Sequence, residues 1–279
     1  MSDPLHFLQL RFDAQAVYDH ARRRGRRGIQ LDDPGYLLHM VLAELFGKDA
    51  ILTFRLKPGS MNREGDQQLT VLAYSHHDLD TLARQAEMTA EPDVFRLWHR
   101  RDSHHKPMPS DWPAGHVLGF EALAYPVRRV GSTTMTGGAQ AVRDLKNPRA
   151  TYEVDAWLAE KLKEDARWRA EGRDPKDNPG PPREPVYRDW FSDQLTLRPE
   201  GQAPVVAASA QTITLESFQR DRFWRPQHGA GKGSTRDRPL VLYRGTLRIT
   251  DPAAFATLLA RGIGRHRAFG LGMLLLRPV

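Results

Sequence analysis

The chain has no cysteine, which removes disulfides, thiolate metal sites and cysteine nucleophiles together. It has no apolar stretch near the roughly 20 residues that a membrane helix needs, so no membrane span or membrane partner is expected. The first residues, MSDPLHFLQLRF, lack a basic leader and a long apolar core and read as a first strand, not a signal peptide. The expected compartment is the cytoplasm. No His-x-x-x-His pattern occurs on any predicted helix, and the adjacent pairs His76-His77 and His104-His105 have no spaced third ligand, so no metal is expected.

Nucleotide loops are lacking too, although two segments imitate them. Gly262-x-Gly264 and Gly270-x-Gly272 are followed by a strand, whereas a dinucleotide fingerprint opens a helix. In Gly229-Ala-Gly-Lys-Gly-Ser-Thr235, Gly233 follows Lys232 where a phosphate loop needs Ser or Thr, and Pro226 stands at the first-glycine position. Neither ATP nor NAD fits, and no cofactor is expected.

What is present is a 279-residue chain with 40% hydrophobic and 9% aromatic content, globular in composition and long enough for two domains. The net charge of +7 is uneven. Residues 201–279 carry 12 Lys/Arg against 4 Asp/Glu, and residues 1–200 carry 29 against 30. A basic C-terminal part suits a polyanion, because neutralised phosphates release counterions. A second basic cluster, Ala21-Arg-Arg-Arg-Gly-Arg-Arg27, is interrupted by glycine and reads as a mobile loop able to clamp phosphate through Arg22, Arg23, Arg24, Arg26 and Arg27.

Alternation predicts strands near Leu5–Phe12, Ile51–Leu56, Gln68–Tyr74 and Val117–Val130. Asp33 and Pro34 open a helix that ends at Gly47, and a shorter helix spans Asp78 to about Met88. The order is that of a ferredoxin-like (RRM-like) βαββαβ unit. The polar, proline-rich stretch Asp102–Pro113 is the expected boundary, giving domains 1–113 and 114–279. In the second half a charged helix is expected over Thr151–Ala170 and a surface loop over Glu171–Pro185. Strands are expected at Asp193–Leu197, Val205–Leu215 and Pro239–Ile249, then a helix from Asp251-Pro252 to Arg261 and a last strand from Met273. The fold class is therefore α+β, with two tandem ferredoxin-like domains, the second decorated by insertions.

On the helix opening at Pro34, Leu38, Val41, Leu42 and Leu45 share one face, and Tyr36, His39 and Ala43 the other. A Tyr and a His turned away from the core can both address a ligand, and His suits proton transfer near neutrality; an ordinary exposed pair is the plain alternative. In the tail, GIGRHRAFGLGMLLLRPV, glycines allow close backbone approach while Arg265, His266 and Arg267 offer phosphate contacts. The plain alternative there is a turn that packs a helix on a strand.

Three separated segments carry a resemblance: Tyr36-Leu-Leu-His39, Leu242-Tyr-Arg-Gly-Thr-Leu-Arg-Ile-Thr-Asp-Pro252, and Gly262 to Leu276. Together they resemble the CRISPR repeat-processing endoribonucleases of the RAMP superfamily, in the CasE (Cse3) branch of type I-E systems. The middle, Gly131 to Gln227, matches loosely, and the insertion at Glu171–Pro185 makes this chain longer than its relatives.

The resemblance implies metal-independent cleavage of precursor CRISPR RNA within the repeat stem-loop. The 2′-hydroxyl attacks the adjacent phosphate, leaving a 2′,3′-cyclic phosphate and a 5′-hydroxyl. It also implies retention of the guide RNA with other subunits of a Cascade-type complex. It makes His39 the general base or acid, Tyr36 the residue that orients the ribose or phosphate, and Lys232 the charge-stabilising lysine, with Lys146 in reserve. RNA contacts are expected from the N-terminal arginines above, from Arg128, Arg129, Lys146, Arg236 and Arg238, and from Gly262, Gly264, Arg265, His266, Arg267, Gly270 and Gly272. A non-catalytic repeat-binding scaffold subunit is the alternative within the same kind of complex. A module contacting an acidic protein is a third reading.

Overall fold

The structure, a computed structural model, describes residues 4–24, 33–57, 68–131, 151–226 and 233–279, with backbone alone at 151, 221–226 and 233–236. Strand β1 (His6–Asp13) alternates, burying Leu8, Leu10 and Phe12. Asp13 accepts the Ala16 N–H to cap α1 (Ala14–Arg23). Helix α2 (Pro34–Phe46) starts where Asp33 accepts the Tyr36 N–H at 2.9 Å, with Pro34 in the first turn, and stops at Gly47 with φ 87°. Then follow β2 (Thr53–Lys57), β3 (Gln68–Ser75), α3 (Leu79–Thr89) capped by Asp78, the short α4 (Pro92–Phe95) and β4 (His104–Pro107). The sheet order β2-β3-β1-β4 is antiparallel throughout, which is the ferredoxin-like arrangement. Val17, Leu38, Val41, Leu42, Leu45 and Leu82 join Leu8, Leu10 and Phe12 in one core on the helical face.

The second sheet repeats that order. Its strands are β5 (Val117–Ala124), β10 (Ala208–Pro226), β11 (Gly233–Ile249) and β12 (Leu274–Arg277), arranged β10-β11-β5-β12 and antiparallel. Helices α6 (Arg183–Gln194) and α7 (Pro252–Arg261) occupy the two crossover positions. Between β5 and α6 the chain inserts β6 (Val127–Gly131), β7 (Thr151–Asp155), which pairs with it, and α5 (Ala156–Ala170). Strands β8 (Thr196–Leu197) and β9 (Val205–Val206) form a small accessory ladder. The architecture is α+β with two tandem ferredoxin-like units, the second decorated.

The two sheets share a core. Leu72 and Tyr74 of β3 bury themselves with Phe120, Leu258, Leu259, Met273 and Leu274 of the second unit. The buried Tyr74 hydroxyl donates to the Leu274 carbonyl at 3.0 Å, and desolvation pushes its ionisation well above the ordinary tyrosine value. At the same junction Glu121 of β5 takes Arg55 of β2 at 3.3 Å and Arg244 of β11 at 2.9 Å.

Several expectations are corrected. The fourth strand of the first unit is His104–Pro107, inside the proline-rich stretch expected as a boundary; all four residues are exposed, so no apolar alternation marks it. Val117–Val130 is two strands, because Pro126 removes a ladder donor and β6 turns away to pair with β7. The helix expected from Thr151 begins at Ala156; Thr151–Asp155 is strand, as its β-branched and aromatic residues favour. Glu171–Pro185 is the expected surface loop up to Pro182, anchored where the Trp157 indole donates to the Pro181 carbonyl and buried Asn178 donates to Asp165; its last three residues open α6. Asp193–Leu197 is divided: Asp193 and Gln194 end α6, whose Val186, Tyr187, Trp190 and Phe191 recur at helical spacing and are buried, and only Thr196–Leu197 is strand. Helix α1, absent from the sequence reading, takes Arg22 and Arg23 out of the expected basic loop.

Candidate functional site

The tail loop between α7 and β12 requires its glycines for backbone reasons. Gly262, Gly264, Gly270 and Gly272 have φ of 70°, 66°, 81° and 73°, a region that costs other residues energy. Gly272 accepts the Ile263 N–H at 2.8 Å and donates to the Leu123 carbonyl at 2.7 Å. A Cβ on Gly272 would stand 2.0 Å from the Ile263 oxygen. The loop is thus pinned across β5 and then carried to the first unit by a single 3₁₀ turn, Arg267–Phe269.

That turn meets the face of α2 picked out by the sequence. Leu37, Leu38, Val41 and Leu42 are buried behind it, and Tyr36 and His39 are partly exposed in front. Phe269 stacks on Tyr36 with centroids 6.0 Å apart and meets the His39 ring edge-on at 5.1 Å. Gly35 makes this possible, since a Cβ there would lie 2.3 Å from the Phe269 carbonyl oxygen. Residues from opposite ends of the sequence therefore converge on one aromatic contact. Beside it opens a cleft of about 310 Å³, with His39 and Lys48 among its polar groups and Leu42, Phe54 and Ala268 among its apolar ones.

A carboxylate the sequence reading missed organises the cations. Glu153 of β7 accepts Arg265 Nε at 2.5 Å, His266 Nε2 at 2.7 Å and Arg238 Nε at 3.2 Å, with only 13% of its side chain exposed. Burial alone would raise the Glu153 carboxyl, but the His266 hydrogen bond and charge, the charge of Arg238 and the Arg265 hydrogen bond outweigh it and hold the group at about 2. His266 adopts φ 61° and turns its ring edge toward Tyr125 at 5.6 Å. Nothing in the sequence marks Glu153, because the segment reads as helix; Phe269 lies inside the tail motif but is hidden among its glycines and arginines.

The other expected site residues scatter. Arg267 turns inward and donates to the Arg261 carbonyl at 2.6 Å. Arg22 pairs with Asp19 at 3.3 Å, Arg23 is exposed, and Arg24 lies 3.3 Å from Glu91 and 3.5 Å from Glu44. Arg128 pairs with Glu160 at 3.0 Å, and its neighbour Arg129 is exposed. Arg26, Arg27, Lys146 and Lys232 lie outside the described residues, as does the side chain of Arg236. Gly262 and Gly264 pack against Gly272 and Trp190, and Gly270 against Phe54, so these positions shape the loop. Among the described residues no group of three or more metal-ligating side chains is arranged to hold an ion, and no helix is long and apolar enough to cross a membrane.

Comparison with known proteins agrees with this architecture. Three solved structures superpose over nearly the whole chain. One, a CRISPR endoribonuclease Cse3 bound to 19 nt RNA, has a TM-score of 0.54 at 16% identity, covering 99% of this chain and 100% of that one. Thermus thermophilus Cse3 bound to an RNA representing a pre-cleavage complex has a TM-score of 0.51 at 14% identity, covering 99% and 100%. The CRISPR-associated protein Cas6e from Escherichia coli K-12 has a TM-score of 0.51 at 18% identity, covering 98% and 100%. At such identities the likeness is one of fold. No curated protein matches the chain in sequence. The family model described as CRISPR associated protein matches residues 8–278, a span that takes in both sheets, the Tyr36/His39 helix and the glycine loop. By that match the chain belongs to the CRISPR-associated protein family.

Proposed function

We propose that this protein is a metal-independent endoribonuclease that cuts precursor CRISPR RNA within the repeat stem-loop and keeps the product as part of a Cascade-type complex in the cytoplasm. The observation that carries the reading is the meeting of Tyr36 and His39 with Phe269 of the tail loop. That contact puts a proton-transfer group and a phenol beside a loop bearing Arg265 and His266. The solved structures with this fold include Cse3 bound to RNA in a pre-cleavage complex, which is the activity the reading carries over.

The chemistry asks little else of the protein. His39 takes the proton from the ribose 2′-hydroxyl or returns one to the leaving 5′-oxygen, a role worth about 10²–10⁴-fold in rate. Tyr36 orients the ribose or phosphate, and a cation offsets the charge that builds on the phosphorane, with Lys232 first and Lys146 second for that role. Arg265 and His266 face the phosphates from the loop whose glycines set its path. Recognition rests on the shape of the stem and its phosphates, as duplex RNA requires. Residues 1–113 and 114–279 are taken as the two domains, with the active site where they meet.

The test is incubation of the full chain with its cognate repeat RNA in EDTA. Cleavage to a 2′,3′-cyclic phosphate that is lost in His39→Ala supports the reading. Tight binding without product would instead make the protein a repeat-RNA scaffold, and a salt-independent or absent affinity for RNA would overturn both.

A further inference from the structure

A second pocket shares Arg238 with the Glu153 cluster. It has a volume of about 270 Å³ and is lined by Trp157 of α5, Arg183 of α6, Phe218 and Arg220 of β10, and Asp237 and Arg238 of β11, among others. Small-molecule pockets begin at roughly 300 Å³, so this one suits a single planar ring. Among the described residues Phe218 is one of few large apolar side chains left open, 46% exposed. One face of its ring is backed by Tyr187, stacked at 5.9 Å, which holds it rigid while leaving ring surface to the solvent.

The pocket wall carries three arginines, Arg183, Arg220 and Arg238, and two aspartates, Asp155 and Asp237. Asp155, at the pocket wall, is already engaged: it caps α5 through the Trp157 N–H, accepts the Tyr187 hydroxyl at 3.0 Å and pairs with Arg183 at 3.3 Å. Arg183 sits over the Trp157 ring, 3.9 Å from its centroid, and 5.9 Å from that of Phe218. Arg220 follows Phe218 by two residues on the same strand, so both project to one side of it; it is exposed. A rigid open aromatic ring flanked by arginines is the arrangement that stacks a nucleobase and holds its phosphate. A base inside a duplex has both faces covered, so the occupant must be unpaired.

The pocket is also linked to the tail loop through one shared residue. Arg238 lines it and at the same time bonds Glu153, which holds Arg265 and His266.

Resting on the RNA reading above, we propose that this pocket binds one unpaired base of the single strand flanking the repeat stem-loop, stacked on Phe218 with its phosphate on Arg220. The test is fluorescence anisotropy with three labelled RNAs, the bare stem-loop and the stem-loop carrying a short single-stranded extension on its 5′ side or on its 3′ side, with a cleavage gel in parallel. Phe218→Ala should weaken binding of one extended RNA by roughly tenfold, as a lost base–aromatic stack implies, and leave the bare stem-loop unchanged. Phe218→Tyr should restore the extended RNA. Equal binding of each of the three RNAs by wild type and Phe218→Ala, in a protein that still cleaves, overturns the pocket alone. Failure of the wild type to bind any of them overturns the endoribonuclease reading and the pocket with it.

Discussion

Replacing Glu153 by Gln keeps the side chain's shape and removes the charge on which Arg238, Arg265 and His266 converge. The carboxyl is held at about 2, against an ordinary value of 4.5. At about 1.4 kcal/mol per unit, that difference is on the order of 3 kcal/mol of stability. The sign follows from a depressed acid: the contribution is complete above pH 4.5, and is lost as pH falls through 4.5 toward 2. Urea unfolding of wild type and Glu153→Gln at pH 5 should give a gap of about 3 kcal/mol. Below that the gap should close by about 1.4 kcal/mol per pH unit. A gap that stays flat to pH 3, or none at pH 5, would refute the view that Glu153 is the anchor of the cationic loop.

Gly35→Ala should lower thermal stability and cleavage together, although alanine alone favours a helix by about 1 kcal/mol over glycine; the added Cβ meets the Phe269 carbonyl at 2.3 Å, so a neutral or stabilising result by calorimetry would contradict the contact. Asp33→Ala removes the α2 cap and should cost about 0.5–2 kcal/mol in chemical unfolding. Tyr74→Phe leaves the Leu274 carbonyl without its donor at the junction of the sheets and should cost about 1–3 kcal/mol, measured the same way. Arg265→Ala should reduce the slope of log affinity for repeat RNA against log salt by about one, leaving the preference among stem-loops intact.

Much of the α2 site was readable because its signals are local. Asp33, Pro34 and Gly47 set the ends of the helix, and the spacing of Leu38, Val41, Leu42 and Leu45 fixed which way Tyr36 and His39 point. The tandem repeat was readable for a related reason, since β1, β3 and β11 carry buried alternation or apolar runs. The strand His104–Pro107 was not, because an exposed edge strand held only by pairing to β1 needs no apolar pattern. Glu153 was hidden for a different reason. Its meaning depends on Arg238, Arg265 and His266, which lie about 85–113 positions later, and pairwise proximity over such separations leaves no mark in one sequence.

The tail motif sits between these cases, and the division of labour within it has a functional consequence. Its four glycines are demanded by left-handed backbone and by carbonyls 2.0–2.7 Å from where a Cβ would stand at Gly262 and Gly272. They need no ligand to explain them. Arg267 gives one guanidinium N–H to the carbonyl of Arg261. Of the basic residues of the loop, Arg265 and His266 are both held by one carboxylate. An arriving phosphate must share or displace Glu153, whose charge persists down to about pH 2. The arginine and histidine are therefore pre-aimed at a moderate cost in affinity, an arrangement that favours placing RNA correctly over binding it tightly. On this argument Glu153→Gln should bind repeat RNA at least as tightly as wild type while cleaving it more slowly, a split between affinity and rate that mere unfolding of the loop would not produce.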